Sequence, residues 1–326
     1  MKRRDLAALV LAAAALLFPA SQATAQAAFP DHQVRMIMPW PPGGGTDVLG
    51  RAFAQRMQEI WGQPVVVDNR AGANGIIGTT EAARARPDGY TIAMATADTH
   101  GINPAVRPSL SYDAVRDFTP ILWISTQPLI LCVHPSVQAT TVQEFVALAK
   151  AQPARINYAS WGAGSTAHMA MELFQLQAGI ELTHVPYRGA TPAITDLIAG
   201  QVQAIFTGPF SAVPYHQQGR LRCLATGSAT RPAAAPDYPT FAEAGYPGFR
   251  ADSWYGLVAP KGVPGSVLDA LRSAAARAME APAVRERIAS IGQDPVGGDP
   301  ENFTDHMRRE IEQWQRVVRE ANIAVD

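Results

Sequence analysis

The sequence predicts an α/β protein of two lobes joined by crossing strands, with a cleft between the lobes. Three observations carry this. Short apolar strands alternate with amphipathic helices in two separate blocks, extended apolar runs divide the blocks, and the loops that leave the strands are rich in Gly, Ser, Thr, Asn and Asp. Alternating β and α units call for parallel sheets covered by helices on both faces. With 326 residues and 47% hydrophobic content, the chain has material for two cores.

The amino end reads as an export signal. Lys2, Arg3 and Arg4 precede an apolar run over 6–18, and Ala23-Thr24-Ala25 offers the small residues of a cleavage site before Gln26. This is the pattern of a secretory signal peptide over 1–25. Its thirteen apolar residues fall short of the ~20 that a bilayer span needs, so the mature chain is expected to begin near Gln26 and to work outside the cytoplasm as a soluble protein. Lys2, Arg3, Arg4 and Asp5 leave with the leader, taking a net +2 from the formal −1 and bringing the mature chain to about −3. That balance excludes a nucleic-acid partner, which demands a basic footprint. Cys132 and Cys223 are the two cysteines; an exported chain either joins such a pair or buries both as thiols.

From residue 34 the elements follow in order. Val34, Met36 and Met38 alternate with Arg35 and Ile37, while Val48, Leu49, Ala52, Phe53, Met57 and Ile60 recur at helical spacing; this is a strand followed by an amphipathic helix. Between them Gly43, Gly44 and Gly45 leave the backbone bare, and Thr46 or Asp47 is expected to cap the helix. Free N–H groups and the positive helix end then face whatever sits there. That describes a site for an anion or, taken alone, a tight connection that binds nothing. A second strand at 64–68 leads through 69–75 into a helix at 76–85, and a third strand spans 90–95. Apolar runs at 121–125 and 129–133 break the rhythm. The capping box Thr141-Val142-Gln143-Glu144 then opens a helix to about Lys150. Strands at 156–160, 182–186 and 202–207 alternate with helices at 168–178 and 190–199. An extended run at 221–226, a strand at 257–259 and helices at 264–280, 282–291 and 300–321 close the chain, the helices expected to return over the first lobe. On this plan 26–126 and 226–326 form one lobe and 127–225 the other.

Open α/β sheets bind ligands beyond the carboxyl ends of their strands. Six loops lie at those ends, 41–47, 69–75, 96–101, 161–166, 187–189 and 207–211, three from each block. Together they would line one cleft.

With the loops in this order, the chain resembles the Bug family, the extracytoplasmic solute receptors of tripartite tricarboxylate transporters. The landmarks are Pro41-Pro42-Gly43-Gly44 followed by Asp47, Asn69-Arg70 with Gly72 and Gly75, and Pro87-Asp88-Gly89-Tyr90. Further on come Asn157-Tyr158-Ala159-Ser160, Gly162-Ala163-Gly164-Ser165 with His168, Val185-Pro186-Tyr187-Arg188-Gly189, and Trp254-Tyr255-Gly256. The resemblance implies a two-lobed type II periplasmic-binding-protein fold with hinge strands and an interlobe cleft. It implies closure on a small carboxylate solute: a dicarboxylate, an acidic amino acid or an aromatic carboxylate. The solute would pass to the membrane components of a tripartite tricarboxylate transporter, or be reported to a sensor kinase. A monomer with no catalytic residue, metal or cofactor is expected.

By the same resemblance, one loop supplies Pro41, Gly43, Gly44, Gly45, Thr46 and Asp47. The facing loop supplies Ser160, Trp161, Gly162, Ser165 and Thr166, and the two grip one carboxylate largely through backbone groups and ordered water. Asp98, His168, Tyr187, Arg188 and Thr207 complete the expected set. The chain departs from the family where Thr207-Gly208-Pro209-Phe210 replaces an Asp-Asn or Ser-Asn pair, where Trp161 replaces a small residue, and where Asp98 and His100 add ionisable groups. Trp161 and Phe210 suit an aromatic or compact solute, or pack into their own lobe. Arg188 either assists the carboxylate or holds a structural ion pair.

Enzyme readings fare worse. Gly162-Ala163-Gly164-Ser165-Thr166-Ala167 fits a dinucleotide fingerprint, but the next strand ends in Pro186-Tyr187-Arg188, without the acid that reads a ribose. Neither a G-x-S-x-G elbow nor an H-E-x-x-H metal motif occurs. Ser160, Ser165 and His168 lack an assignable third group to orient a base.

Overall fold

In the computed structural model, which describes residues 29–320 and 323, two mixed sheets of six and five strands organise the chain. The leader expected over 1–25 lies outside the described residues. The first lobe opens with β1 (Val34–Met38), α1 (Gly45–Trp61), β2 (Val65–Asn69), α2 (Ile76–Ala83) and β3 (Thr91–Thr96). A π-helical turn (Asp98–Ile102) then runs into the short α3 (Asn103–Val106), and β4 (Phe118–Pro128) leads out of the lobe. The second lobe holds β5 (Ile130–Val133), α4 (Val142–Ala151), β6 (Asn157–Ser160), α5 (Thr166–Ala178), β7 (Thr183–Pro186), α6 (Ala190–Ile198), β8 (Ala204–Thr207), α7 (Pro209–Gln217) and β9 (Arg222–Thr226). The chain returns through β10 (Asp252–Pro260), α8 (Gly265–Glu280), α9 (Pro282–Ser290), β11 (Asp294–Gly298) and α10 (Pro300–Glu320).

The strand orders are β11-β4-β10-β3-β1-β2 and β7-β6-β8-β5-β9. Strands joined by helices pair in parallel, as the alternation predicts: β1 with β2 and β3, and β6 with β7 and β8. The strands that cross between lobes do not. β10 runs antiparallel to β3 and β4, and β5 antiparallel to β8 and β9, because each arrives from the opposite lobe rather than from a helix over its own sheet. The crossings are bonded to one another where they pass. Leu129 N–H donates to Ala251 C=O at 2.8 Å, Gly227 N–H to Leu129 C=O at 2.8 Å, and Ala251 N–H to Gly227 C=O at 3.2 Å. A Cβ on Gly227 would come within 2.6 Å of the Ala251 side chain, so only glycine fits there.

Side-chain alternation sorts the first core. Val34, Met36 and Met38 of β1 face Leu49, Phe53 and Met57 of α1 and Leu271 and Ile288 of the closing helices. Ile37 points the other way, into a cluster with Ala95, Trp254, Phe303 and Met307. The second lobe is built on aromatic rings. Phe174 and Phe206 pack against Phe241 and Phe249, with centroids 5.1–6.1 Å apart. The segment between β9 and β10, placed in the first lobe from the sequence, therefore belongs by its packing to the second. α10 also differs from expectation: Phe303 and Met307 sit in the first lobe, whereas Trp314 and Val317 join the core of the second. One amphipathic helix thus packs into both cores, where the sequence placed it over the first lobe.

Cys132 and Cys223 face each other across the β5–β9 pairing and form a disulfide, with Cα atoms 3.9 Å apart. The bridge joins positions 91 residues apart, and the loop entropy it removes from the unfolded chain is worth ~4–5 kcal/mol. The Cys132→Ala/Cys223→Ala double variant is expected to keep its circular dichroism spectrum and lose up to ~4 kcal/mol in urea unfolding. An unchanged urea midpoint would show that the bridge contributes nothing.

Candidate functional site

A cavity of about 290 Å³ lies between the lobes, at the small end of the ~300–1,000 Å³ typical of ligand pockets. The first lobe contributes Trp40, Pro41, Pro42, Gly44, Gly45 and Thr46, together with Asp98, Gln127, Ser253 and Tyr255. The second contributes Trp161, the run from Arg188 to Pro192, Thr207, Gly208, Phe210 and Ser211. Among the described residues, Asp98 and Arg188 are the only charged ones in this wall.

The start of α1 opens onto the cavity. Its N-cap is Gly44, which has no side chain to offer the first turn, and Gly45 and Thr46 both line the space. Orphan first-turn N–H groups and the helix dipole make such an end attractive to anions. Asp47, expected as a cap or a ligand contact, is not the N-cap and lies outside the cavity wall. Its buried carboxylate turns back to accept Gly43 N–H at 3.0 Å, Arg51 Nε at 2.9 Å and Asn69 Nδ2 at 2.9 Å. Burial pushes its pKa up, but the hydrogen bonds from Arg51, Gly43 and Asn69 outweigh that and hold it below the usual carboxylate range. Asn69 Nδ2 also donates to Trp40 C=O at 2.9 Å. The glycine loop is thus tied at both ends to the tip of β2.

The start of α5 is answered differently. Thr166 N–H donates to Asp98 Oδ1 at 2.6 Å, and Trp161 Nε1 reaches the same oxygen at 3.3 Å. Ser165 caps the helix, its Oγ accepting His168 N–H at 3.4 Å. Asp98, from the π-helical turn of the first lobe, thereby sits on the helix end of the second. It is fully buried, and burial raises its pKa to about 6 despite the donors from Thr166 and Trp161. Two further bonds land on the same loop: Asn74 Nδ2 donates to Gly164 C=O at 2.9 Å and Arg107 Nη2 to Ala163 C=O at 3.2 Å.

Several expected contacts face inward instead. His168 Nδ1 accepts Gly164 N–H at 3.0 Å, and its ring stacks on His184 with centroids 4.0 Å apart. Ser160 Oγ lies 2.7 Å from His184 Nε2 and donates to Gly162 C=O at 3.0 Å. Burial, with His184 beside it, lowers the His168 pKa to about 3, so the ring is a neutral brace. Tyr187 bonds Asp196 through its hydroxyl at 2.7 Å and, with Gly162, lines an adjoining recess rather than the cavity. Pro41, Gly44, Gly45, Thr46, Asp98, Trp161, Arg188 and Thr207 are therefore brought together, whereas Gly43, Asp47, Ser160, Gly162, Ser165, Thr166, His168 and Tyr187 stand behind or beside that wall. Gln127, Ser253 and Tyr255 were not anticipated. Tyr255 OH donates to Gln127 Oε1 at 2.9 Å on the cavity floor, and both sit within strands β10 and β4 rather than at loop tips.

Beneath the π-helical turn, α10 inserts Glu310. Its buried carboxyl accepts the indole N–H of Trp254 and, at 3.2 Å, that of Trp314, and a Cβ on Gly101 would touch it. Burial raises its pKa to about 8. The acid that anchors α10 thus also supports the turn that carries Asp98.

Comparison with known proteins places this architecture. Residues 49–323 match the model of the tripartite tricarboxylate transporter family receptor. Protein BugT of Bordetella pertussis is 36% identical over 311 residues, covering 95% of this chain and 94% of its own. The structure of R. palustris Rpa4515 with adipate superposes with a TM-score of 0.86 at 35% identity, over 91% of this chain and 99% of that one. MatC from Rhodopseudomonas palustris with bound malate gives 0.82 at 31% identity, over 89% and 100%.

The buried titratable groups set a pH dependence of stability. Burial raises the pKa of Glu310 to about 8, Asp252 to about 7 and Asp98 to about 6, so the folded state holds protons that the unfolded chain releases. Stability therefore rises as pH falls through those values. Burial lowers His100 and His168 to about 3 and His184 and His306 to about 4, below the ordinary 6.5, so these groups work against folding once pH falls below it. The melting temperature is expected to climb from about pH 8.5 to about pH 7, each unmatched proton contributing ~1.4 kcal/mol per pH unit, and to fall in acid. Glu310→Gln should flatten the alkaline limb. A wild-type melting temperature that is level across that limb would refute the assignment.

Proposed function

Because the chain belongs to the tripartite tricarboxylate transporter receptor family, we propose that it captures a small carboxylate from the periplasm at the open start of α1 and hands it to the membrane components of a transporter. Members of this family are periplasmic transport receptors rather than enzymes. The observation that carries the ligand reading is the pairing of bare first-turn N–H groups at Gly45 and Thr46 with Arg188, the one cation that the described residues bring to the cavity wall. Charge-assisted bonds from preset donors hold a carboxylate strongly without a buried cation. That relatives were solved with adipate and with malate supports the same class.

The cycle follows from the two helix ends. Solute meets the α1 loop, the second lobe closes over it with Trp161, Arg188 and Phe210, and the closed surface becomes the signal. A solute shifts this equilibrium only by its differential affinity for the closed form. Residues 1–25 serve as the export signal, the receptor works as a monomer, and the family's transporter association favours a transporter over a sensor as partner.

A thermal-shift panel of small mono- and dicarboxylates tests the proposal, since a ligand bound only by the native form at about 100-fold its Kd adds ~2.7 kcal/mol of stability. At least one member is expected to raise the melting temperature by several degrees and to be recovered intact. Asp47→Ala, which frees the glycine loop without touching the cavity, should weaken that ligand about tenfold while the protein stays folded. A panel that leaves the melting temperature unmoved would sink the receptor reading.

A further inference from the structure

The two helix starts beside the gap between the lobes are not equivalent. The first turn of α1 presents glycine backbone to the space, whereas the first turn of α5 is already occupied by Asp98, whose Oδ1 takes Thr166 N–H at 2.6 Å and Trp161 Nε1 at 3.3 Å. An anion from the solute finds one helix end open and the other filled by the protein's own carboxylate. Asp98 is buried yet remains part of the cavity wall, so whatever lies beside it meets an acceptor. Arg188, exposed and with no ion pair among the described residues, is on the opposite lobe.

We propose that Asp98 takes the place of a second solute carboxylate, so that the cavity selects monocarboxylates whose far end carries a hydrogen-bond donor, an amine or a hydroxyl, and turns dicarboxylates away. The proposal rests on the reading of the cavity as a carboxylate receptor site and narrows it. Charge supports it. The wall holds one carboxylate and one guanidinium, so a solute carboxylate held by the α1 turn leaves the far end facing a negative group. With Arg188 committed to the first carboxylate at the α1 turn, a second carboxylate there would be buried against Asp98 without a cation of its own, which disfavours ionisation of both. A donor would instead complete the Asp98 hydrogen bonds. Discrimination then comes from repelling the wrong far end as well as from holding the right one. The rest of the wall suits a slim apolar body: Trp40, Trp161, Phe210 and Tyr255 supply aromatic surface, and Pro41 and Pro192 aliphatic surface, around a space of only about 290 Å³.

Four solutes of matched length isolate the far end: 6-aminohexanoate, 6-hydroxyhexanoate, hexanoate and adipate. A matched aromatic set is 4-aminobenzoate, 4-hydroxybenzoate, benzoate and terephthalate. Calorimetry on the wild type is expected to favour a donor-bearing member over the dicarboxylate of the same set by at least about tenfold. Asp98→Ser vacates the α5 turn and should invert the order, with affinity for the dicarboxylate rising about tenfold or more. Asp98→Asn keeps the shape and an acceptor oxygen but not the charge; it should lose more affinity for the amine than for the hydroxyl, and it serves as the readout if the serine variant fails to fold. Tighter binding of the dicarboxylate by the wild type, or no change of rank in either variant, would overturn the proposal while leaving the receptor reading in place. Failure of every carboxylate to bind every form would instead remove the receptor reading itself.

Discussion

Main-chain N–H groups at the start of a helix must find an acceptor, and this molecule aims two such starts, α1 and α5, into one gap. A buried donor left unmet costs ~1–3 kcal/mol, and a buried charge is tolerated only when bonded. The α5 start meets both conditions at once: Thr166 N–H is satisfied by Asp98, and Asp98 is bonded by Thr166 and Trp161. This contact ties the two lobes together beside the bonds from Asn74 and Arg107, and it lends the cavity its negative group. It also makes demands elsewhere. Asp98 must be delivered from the π-helical turn, whose Thr99 carbonyl accepts Tyr112 OH at 2.6 Å and whose Gly101 lies against Glu310. Glu310 in turn takes the indoles of Trp254, from the first sheet, and Trp314, from the second core. The path from one lobe to the other therefore runs through two buried acids.

Both glycine loops are held rigid from behind. In the first, Asp47, Asn69 and Arg51 form a closed set of bonds that fix the backbone at Gly43 and Trp40. In the second, Ser160, His184 and His168 do the same for Gly162 and Gly164. Neither set touches the cavity. Their value is preorganisation: donors already in place lose little freedom when a solute arrives, so more of the contact energy appears as affinity. Residues whose chemistry suggests ligand contact can thus serve the same site at one remove.

That division explains what the sequence could and could not disclose. The period of apolar residues marked α1 and the second-lobe helices because each buries one face against its sheet, and marked β1 because Val34, Met36 and Met38 share one face. It understated β10, a nine-residue strand buried on both faces, where Gly256 interrupts the apolar pattern. A Cβ at that position would strike the Phe303 ring and come within 2.8 Å of the Leu122 carbonyl, so close packing rather than a turn explains the glycine. β11, with Pro295, Gly297 and Gly298, carries no strand signal at all and is held only as an edge partner of β4. At the site, loop composition found both glycine turns, Asp98, Trp161 and Arg188. Gln127, Ser253 and Tyr255 were hidden because they lie inside crossing strands, where polar residues look like any other strand position. The inward turn of Asp47 and His168 left no trace in the spacing, since a carboxylate or imidazole that braces a loop occupies the same place in the chain as one that meets a solute.

The same geometry constrains how the lobes move. Leu129, Gly227 and Ala251 bond to one another where the crossings meet, and α10 plants Phe303 in one core and Trp314 in the other. Rotation must therefore bend these connections while keeping their hydrogen bonds. Across the gap, Asp98 accepts from the 161–166 loop while Asn74 and Arg107 donate to it, all bonds of protein to protein. They weigh equally whatever the solute and so set the resting balance between open and closed forms. A solute changes that balance only through groups met in the closed form alone, chiefly Trp161, Arg188 and Phe210 of the second lobe. Strengthening the protein's own contacts would close the lobes more often but would blunt the difference a solute makes, which is the quantity a membrane partner must sense.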